Sequence, residues 1–147
     1  MKLSTKGRYG IRLLLDLALH QSKEPVLLKD IARRQQMPLA YLKHLVAPLI
    51  AGGLLRSSRG IKGGVLLARA PEQIKLKEVI QLLEGSIALV ECIDRPETCD
   101  RSGYCATRDI WGEMGKAMSD VLESTTLQDL VERQKAKEPA KAAMYYI

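Results

Sequence analysis

The chain has 147 residues, 46% of them hydrophobic, and its 23 basic and 17 acidic side chains give a formal net charge of +6 at pH 7. A chain of this length can bury a core without disulfide bonds, and its three cysteines form an odd number, so we expect no secreted disulfide framework. No apolar run reaches the roughly eighteen residues of a membrane span, and no signal peptide is recognised, so we expect a soluble, cytoplasmic protein.

The positive charge is confined to the first half of the chain. Residues 1–70 hold thirteen basic and three acidic side chains, whereas residues 71–147 hold ten basic and fourteen acidic ones. The net charges of the two halves are therefore +10 and −4. Concentrated positive charge favours a polyanionic partner, because each neutralised phosphate releases condensed counterions.

Three helices are predicted in the first 50 residues. Apolar side chains recur at helical spacing over 4–20, and a short helix is predicted over 29–35. A third helix begins at Pro38, a favoured first-turn residue, and ends at Ile50. A short helix, a tight turn and a second helix form the helix-turn-helix pattern, whose second helix can enter the major groove of DNA.

A β-hairpin is predicted directly after the third helix. Its strands are expected over 54–57 and 65–68, with a glycine-rich basic loop over 58–64 between them. A hairpin with a cationic tip in this position is a wing, and Arg59 or Lys62 can reach a narrow minor groove or a phosphate. The loop lacks the spacing of nucleotide-binding loops, and no helix opens behind it.

Two further helices are predicted in the second half, a short one over 76–84 and a longer one over 104–123. The longer helix carries an apolar stripe that can pack on its own domain or on a second copy of the chain. The small remaining core favours the second copy. The stripe comprises Ile110, Trp111, Met114, Ala117, Met118, Val121 and Leu122. One or two last helical turns are expected over 127–133, followed by a flexible tail over 134–147.

All three cysteines lie in one fourteen-residue window, Cys92, Cys99 and Cys105, with the spacing C-x6-C-x5-C. Pro96 and Gly103 predict that this window is a loop. Three soft sulfur donors on one loop suit zinc or, better, an iron–sulfur cluster. Free thiols without a role are the plainer interpretation.

Taken together, these features resemble the Rrf2 family of bacterial winged-helix transcription regulators. The resemblance covers roughly residues 1–133 and is strongest in three segments followed by the cysteine loop. The segments are M-K-L-S-T-K-G-R-Y-G-I-R at 1–12, Y-L-K-H-L at 41–45 and R-G-I-K-G-G-V-L-L-A-R at 59–69. The iron–sulfur cluster regulator branch, IscR, is the most similar, because its cysteine spacing is close to this one.

The resemblance implies a mainly α fold with a small β-hairpin wing and a long C-terminal dimerisation helix. It divides the chain into a winged helix-turn-helix DNA-binding domain over 1–85, a cluster-binding cysteine loop over 86–106, a dimerisation helix over 104–133 and the tail. The implied protein is no enzyme but a sequence-specific regulator, such as a repressor, that binds a palindromic operator in double-stranded DNA as a homodimer. It has no membrane partner and no small-molecule substrate.

Site residues are carried over position by position. Cys92, Cys99 and Cys105 would hold a [2Fe–2S] cluster, favoured over [4Fe–4S], with Asp109 as a possible fourth ligand. The DNA-binding set is Lys29, Pro38, Ala40, Tyr41, Lys43, His44, Arg56, Arg59 and Lys62. The contacts of the dimerisation helix would be Ile110, Trp111, Met114, Met118 and Val121.

The chain departs from the family pattern at four places. The first cysteine gap is one residue longer than the commonest form, and Arg108 stands where the IscR branch has histidine. Arg8 stands where the nitric-oxide-sensing branch has aspartate. Arginine keeps its proton and is a poor metal ligand, so the fourth ligand stays open. Lys43 stands where IscR has glutamate, which leaves the operator sequence open.

Two other classes of protein remain compatible with the sequence. A zinc- or thiol-based regulator of the same fold is the first, because three cysteines and one further donor also form a structural zinc set. A small redox protein is the second. The redox-protein interpretation is disfavoured by the positive charge of residues 1–70. It is also disfavoured because the sequence lacks a C-x2-C pair, a nucleophile–base pair and a cofactor loop.

Overall fold

A computed structural model of the chain describes residues 2–21, 23–60 and 63–145, except for the side chains of 140–145. This part of the chain is mainly helical, with seven α-helices and one two-stranded antiparallel hairpin. In chain order these elements are α1 (Thr5–Leu19), α2 (Leu28–Gln35), α3 (Leu39–Ala51), β1 (Leu55–Ser58), β2 (Gly64–Leu67), α4 (Leu76–Glu84), α5 (Glu91–Asp94), α6 (Ala106–Ser124) and α7 (Leu127–Tyr145). The predicted fold class is confirmed.

Helix α1 lies at the centre of the molecule. The Ser4 hydroxyl caps its N-terminus by accepting a 3.2 Å hydrogen bond from the backbone N–H of Gly7. Leu13 and Leu14 have no exposed surface. At Gly10, a Cβ atom would lie 2.1 Å from Cδ1 of Leu83, so only glycine lets α1 and α4 pack this closely.

Helices α2 and α3 form the predicted helix-turn-helix. Helix α2 ends at Gln36, whose left-handed backbone (φ 53°, ψ 49°) reverses the chain. Met37 is buried in the turn, and Pro38 is the N-cap of α3. Both helices lie within one residue of their predicted bounds.

The predicted wing is the hairpin β1–β2. Its strands pair with Leu55 opposite Leu67 and Ser58 opposite Gly64. Val26 adds an isolated antiparallel bridge to Val65, which ties the hairpin to the segment before α2. The tip includes Lys62, which lies outside the described residues.

The second half differs from its predicted structure in two places. The cysteine segment, expected to be a loop, contains the short helix α5 and a 3-10 turn over Pro96–Thr98, so Cys92 lies in a helix. Helix α7 continues to Tyr145, although the sequence analysis expected it to end at Arg133. Alanine, lysine and glutamate in this segment are strong helix formers, and composition alone does not separate such a helix from a tail.

One hydrophobic core joins the two ends of the chain. It contains side chains of α1, α2, α3, β1, β2 and α4, together with Leu127 and Val131 of α7. Helix α6 contributes no buried residue to it. Among the described residues, no helix combines the length and the apolar character needed to cross a membrane.

Candidate nucleic-acid interface and cysteine loop

Helix α3 has one buried face and one exposed face. Leu42, Leu45 and Leu49 are buried and hold the helix against the core. Lys43 and His44 are exposed on the other face. Because residues three and four apart share a helix face, Ala40 lies beside both of them and is exposed as well. This face presents a cation, an imidazole and a small side chain to a partner.

Tyr41 is the exception among the predicted DNA contacts. Its side chain is half-buried, and its ring packs edge-on against Tyr9 of α1 with the ring centroids 5.4 Å apart. The ring therefore helps to hold α3 on α1. A contact from its hydroxyl to phosphate stays a prediction.

The remaining predicted DNA contacts that the structure describes are all exposed. Pro38 lies at the start of α3, Lys29 lies in the first turn of α2, Arg56 lies on β1, and Arg59 lies in the loop of the wing. Exposure leaves each cation free to approach a phosphate.

The cysteine segment before α6 is mostly exposed to solvent. Cys92, Cys99 and Cys105 are free thiols, and each is half-buried. Cys105 is the N-cap residue of α6, so the segment passes directly into that helix. In the part of the chain that the structure describes, no three His, Cys, Asp or Glu side chains lie close enough together to hold a metal ion.

Arg108 ties the two ends of this segment together. Its Nε donates a 3.1 Å hydrogen bond to the backbone oxygen of Cys92, so its guanidinium acts as a structural cation. Asp109, the predicted fourth ligand, is exposed. The three thiols fit a zinc ion or an iron–sulfur cluster in donor chemistry, because sulfur is the preferred ligand of both.

Cys105 differs from the other two cysteines in its electrostatic surroundings. Its Sγ lies 3.1 Å from the hydroxyl of Thr107. This hydrogen bond, followed by the backbone N–H of Arg108, lowers the pKa of the Cys105 thiol below its ordinary value of 9.0. A lowered pKa increases the thiolate fraction, which is the form that binds metal and reacts with oxidants.

Helix α6 leaves an apolar stripe in contact with solvent. Ile110 is 49% exposed, Trp111 37%, Met118 39% and Val121 64%, whereas Met114 is half-buried. Large apolar side chains grouped on one exposed helix mark a surface for a partner. The stripe therefore does not pack on its own domain as the core residues do.

An ionic contact between α1 and α2 was not predicted from the sequence. Asp16 of α1 has no exposed surface, and its carboxylate accepts hydrogen bonds from Arg34 and Gln35 of α2. A single aspartate in an amphipathic helix gives no sequence signal of burial. The sequence also gives no sign that Arg34, of the two adjacent arginines, is the partner of Asp16.

Comparison with known proteins gives one family. A family model for Rrf2, described as an iron-dependent transcriptional regulator, matches residues 3–133. The chain is 45% identical over 131 residues to Protein rrf2 of Nitratidesulfovibrio vulgaris, covering 89% of this chain and 87% of that protein. It is 38% identical over 147 residues to the HTH-type transcriptional regulator CymR of Bacillus subtilis, covering 100% of both.

Solved structures show the same fold. The structure of CymR, the global cysteine regulator of B. subtilis, matches with a TM-score of 0.77 and 38% identity, covering 90% of this chain and 98% of that one. The structure of T. potens IscR matches with a TM-score of 0.75 and 38% identity, covering 91% and 88%.

Proposed function

The chain belongs to the Rrf2 family of DNA-binding transcriptional regulators, and we propose that it binds its operator as a homodimer under the control of an iron–sulfur cluster. Its relative CymR is named as a transcriptional regulator, which is a role without catalysis. The observation that carries the proposal is the pairing of an exposed, cationic α3 face with three half-buried thiols directly before α6.

For DNA, the proposal places α3 in the major groove and Arg59 in the minor groove. Lys43 and His44 are exposed on the face of α3 opposite to its buried leucines, as a recognition helix requires. The net charge of +10 on residues 1–70 supports binding to the phosphate backbone.

For assembly, the proposal pairs α6 with α6 of a second copy. The exposed stripe that includes Trp111 and Val121 is apolar, and α6 has no buried residue of its own. A two-fold dimer places two recognition helices on half-sites about one helical turn apart, which predicts a roughly palindromic operator.

For control, the proposal assigns Cys92, Cys99 and Cys105 as ligands of a cluster, with [2Fe–2S] favoured over [4Fe–4S]. A bound cluster supplies a centre that reacts with oxygen or nitric oxide and reports on cluster supply. Because Cys105 is the N-cap residue of α6, any change of order in the loop acts on the proposed dimer helix. The hydrogen bond from Nε of Arg108 to the backbone oxygen of Cys92 holds the other end of the loop to the same helix.

A thiol-based regulator is the second candidate, and two observations favour it. The pKa of Cys105 is lowered by Thr107, which favours a reactive thiolate. The structure of Staphylococcus aureus CymR in an oxidised form, which this chain matches at 39% identity, shows a relative that undergoes oxidation. A structural zinc site on the same thiols is the third candidate.

The decisive experiment is purification of the whole chain without oxygen, followed by visible spectroscopy and by iron, sulfide and zinc analysis. We expect visible charge-transfer bands with iron and sulfide, lost on Cys→Ala substitution at 92, 99 or 105. Glu97→Gln, an exposed change in the same loop, is the matched control that keeps the bands.

Other results of this experiment would support the zinc site or the thiol-based regulator instead. A colourless protein with stoichiometric zinc supports the zinc site. A colourless protein without metal, whose DNA binding changes on mild oxidation, supports the thiol switch. Full iron and sulfide in a Cys92→Ala variant would contradict the cluster assignment of this loop.

A further inference from the structure

We infer that the ion pair between the buried Asp16 and the partly exposed Arg34 is a positioning pair for DNA recognition, which fixes the orientation of α3 on α1. The inference rests on the proposed role of α3 as the recognition helix. Asp16 is the only charged side chain among the described residues that is buried.

The contact is bidentate and directional. Nη2 of Arg34 lies 2.6 Å from Oδ1 of Asp16, and Nε of Arg34 lies 3.1 Å from Oδ2. The side-chain amide of Gln35 donates a third hydrogen bond to Oδ2 at 2.9 Å. Two parallel N–H donors fix the plane of the guanidinium against the carboxylate, so the last turn of α2 has one preferred orientation on α1.

The end of α2 is in turn rigidly joined to α3. Directly after Gln35, the left-handed Gln36 donates its N–H to the oxygen of Arg33 at 3.3 Å. The N–H of Met37 donates to the oxygen of Ala32 at 2.9 Å, and the Met37 side chain is buried. Since Pro38 then caps α3, a rotation of the α2 terminus moves the recognition helix with it.

Helix α1 makes a second set of contacts with the end of α2 and the start of α3. Nε of Arg12 donates to Oε1 of Gln35 at 3.3 Å, and its guanidinium lies 5.5 Å from the ring centroid of Tyr9. Tyr9 packs edge-on against Tyr41 in the first turn of α3. One face of α1 therefore holds both the end of α2 and the start of α3.

Stability alone does not account for this pair. Burying the Asp16 carboxylate costs about as much free energy as its attraction to the partly exposed Arg34 returns, and apolar side chains of similar volume often replace such buried charges without loss. Apolar contacts, however, do not fix the relative orientation of two helices as paired hydrogen bonds do. The pair therefore contributes orientation, and we expect its loss to affect base discrimination more than folding.

The test compares specific and non-specific DNA affinity in the whole chain. The specific duplex is selected from a random pool with the unsubstituted protein, and a scrambled duplex serves as the reference. In the double variant Asp16→Leu/Arg34→Met, we expect thermal unfolding close to that of the unsubstituted protein. We expect the ratio of specific to scrambled affinity to fall roughly tenfold, about the loss of one base contact.

The matched control is Arg69→Met/Glu78→Leu, which removes another ion pair between elements, 2.5 Å long, outside the helix-turn-helix. It is expected to leave the affinity ratio unchanged. An unchanged ratio in the Asp16/Arg34 double variant overturns the inference, because the pair is then structural only. A similar fall in both variants also overturns it.

If the double variant does not fold, a conservative variant tests the same inference. Arg34→Lys keeps the positive charge beside Asp16 but loses the bidentate geometry. We expect it to fold and to lose part of the affinity ratio, whereas full retention of the ratio overturns the inference. Failure of the recognition-helix proposal has a different signature, because substitution of Lys43 would then leave the preferred sequence unchanged.

Discussion

Arg59 is an exposed side chain in the loop of the wing, directly before Gly60, whose positive φ of 109° turns the chain. Arg59→Ala is expected to weaken operator binding and to reduce the slope of log affinity against log salt by about 1, because one phosphate or minor-groove contact is lost. Fluorescence anisotropy over a salt series measures both. Arg133→Ala, an exposed arginine of α7, is the control. An unchanged slope and affinity for Arg59→Ala would mean that the wing does not contact DNA.

Lys43 is the side chain of α3 with the clearest chemical preference. An exposed ammonium donates to N7 and O6 of guanine, whereas a carboxylate accepts from N4 of cytosine. Lys43→Glu is therefore expected to change the preferred base at one position of each half-site. Selection from a random duplex pool shows this directly. Lys116→Glu on α6 carries the same charge change, and its selected sequences should match those of the unsubstituted protein. Identical selected sequences for Lys43→Glu would exclude a base contact.

The sequence signalled the exposed site residues better than the buried polar ones. Lys43 and Arg59 lie where turn chemistry and helical spacing put them, because exposure follows from the apolar stripe on the other side of each element. The burial of Asp16 could not be predicted from the sequence, since its partner Arg34 lies eighteen residues away on another helix. Arg108 was recognised as a poor ligand, but its bond to the backbone of Cys92 was not predicted.

At the scale of elements, Glu123 of α6 pairs with Lys75, the N-cap residue of α4. Its Oε1 lies 2.5 Å from Nζ of Lys75, and this hydrogen bond lowers the pKa of Glu123 below its ordinary value of 4.5. A carboxyl group with a lowered folded-state pKa stabilises the fold above its unfolded pKa, and this contribution is lost as the pH falls through the folded pKa.

Glu123→Gln is therefore expected to decrease stability slightly at pH 7 and to have no effect at strongly acidic pH. The decrease is small because both side chains are about half exposed. Urea unfolding at several pH values measures the difference. Asp120→Asn, which breaks the exposed pair with Lys116 within α6, is the control for a charge change that links no other element. A constant difference between pH 7 and pH 3 would assign the effect of Glu123→Gln to packing instead.

Elements with strong periodicity were predicted closely, and those without it were not. Helices α1 to α4 and both strands lie within two residues of their predicted bounds. Apolar periodicity in the helices, and glycine or proline beside most of these elements, indicate where they begin and end. Helix α5 has four residues, too few to show a period. Helix α7 lacks an apolar stripe beyond its first turns, although Thr126 and Asp129 exchange hydrogen bonds that cap its start.

At the scale of the whole molecule, the exposed stripe of α6 is the interface of the proposed dimer. Val121→Asp introduces a charge at the most exposed of its large apolar side chains, and we expect it to convert a dimer into a monomer because an unpaired charge is costly in an apolar interface. Light scattering after size-exclusion chromatography gives the mass. Glu113→Gln, an exposed polar position of α6, should stay dimeric. A dimer that persists in Val121→Asp would place the interface elsewhere.

The packing of α7 onto α1 has a consequence for biosynthesis. Leu127 and Val131 complete the same core that Leu13 and Leu14 begin, so contacts of high sequence separation close it. When α1 leaves the ribosome, more than one hundred residues must still be translated before its last partner appears. Until then its apolar face stays open to aggregation or to chaperones. A nascent chain that stalls within the cysteine segment would therefore be a substrate for proteolysis rather than a half-active regulator.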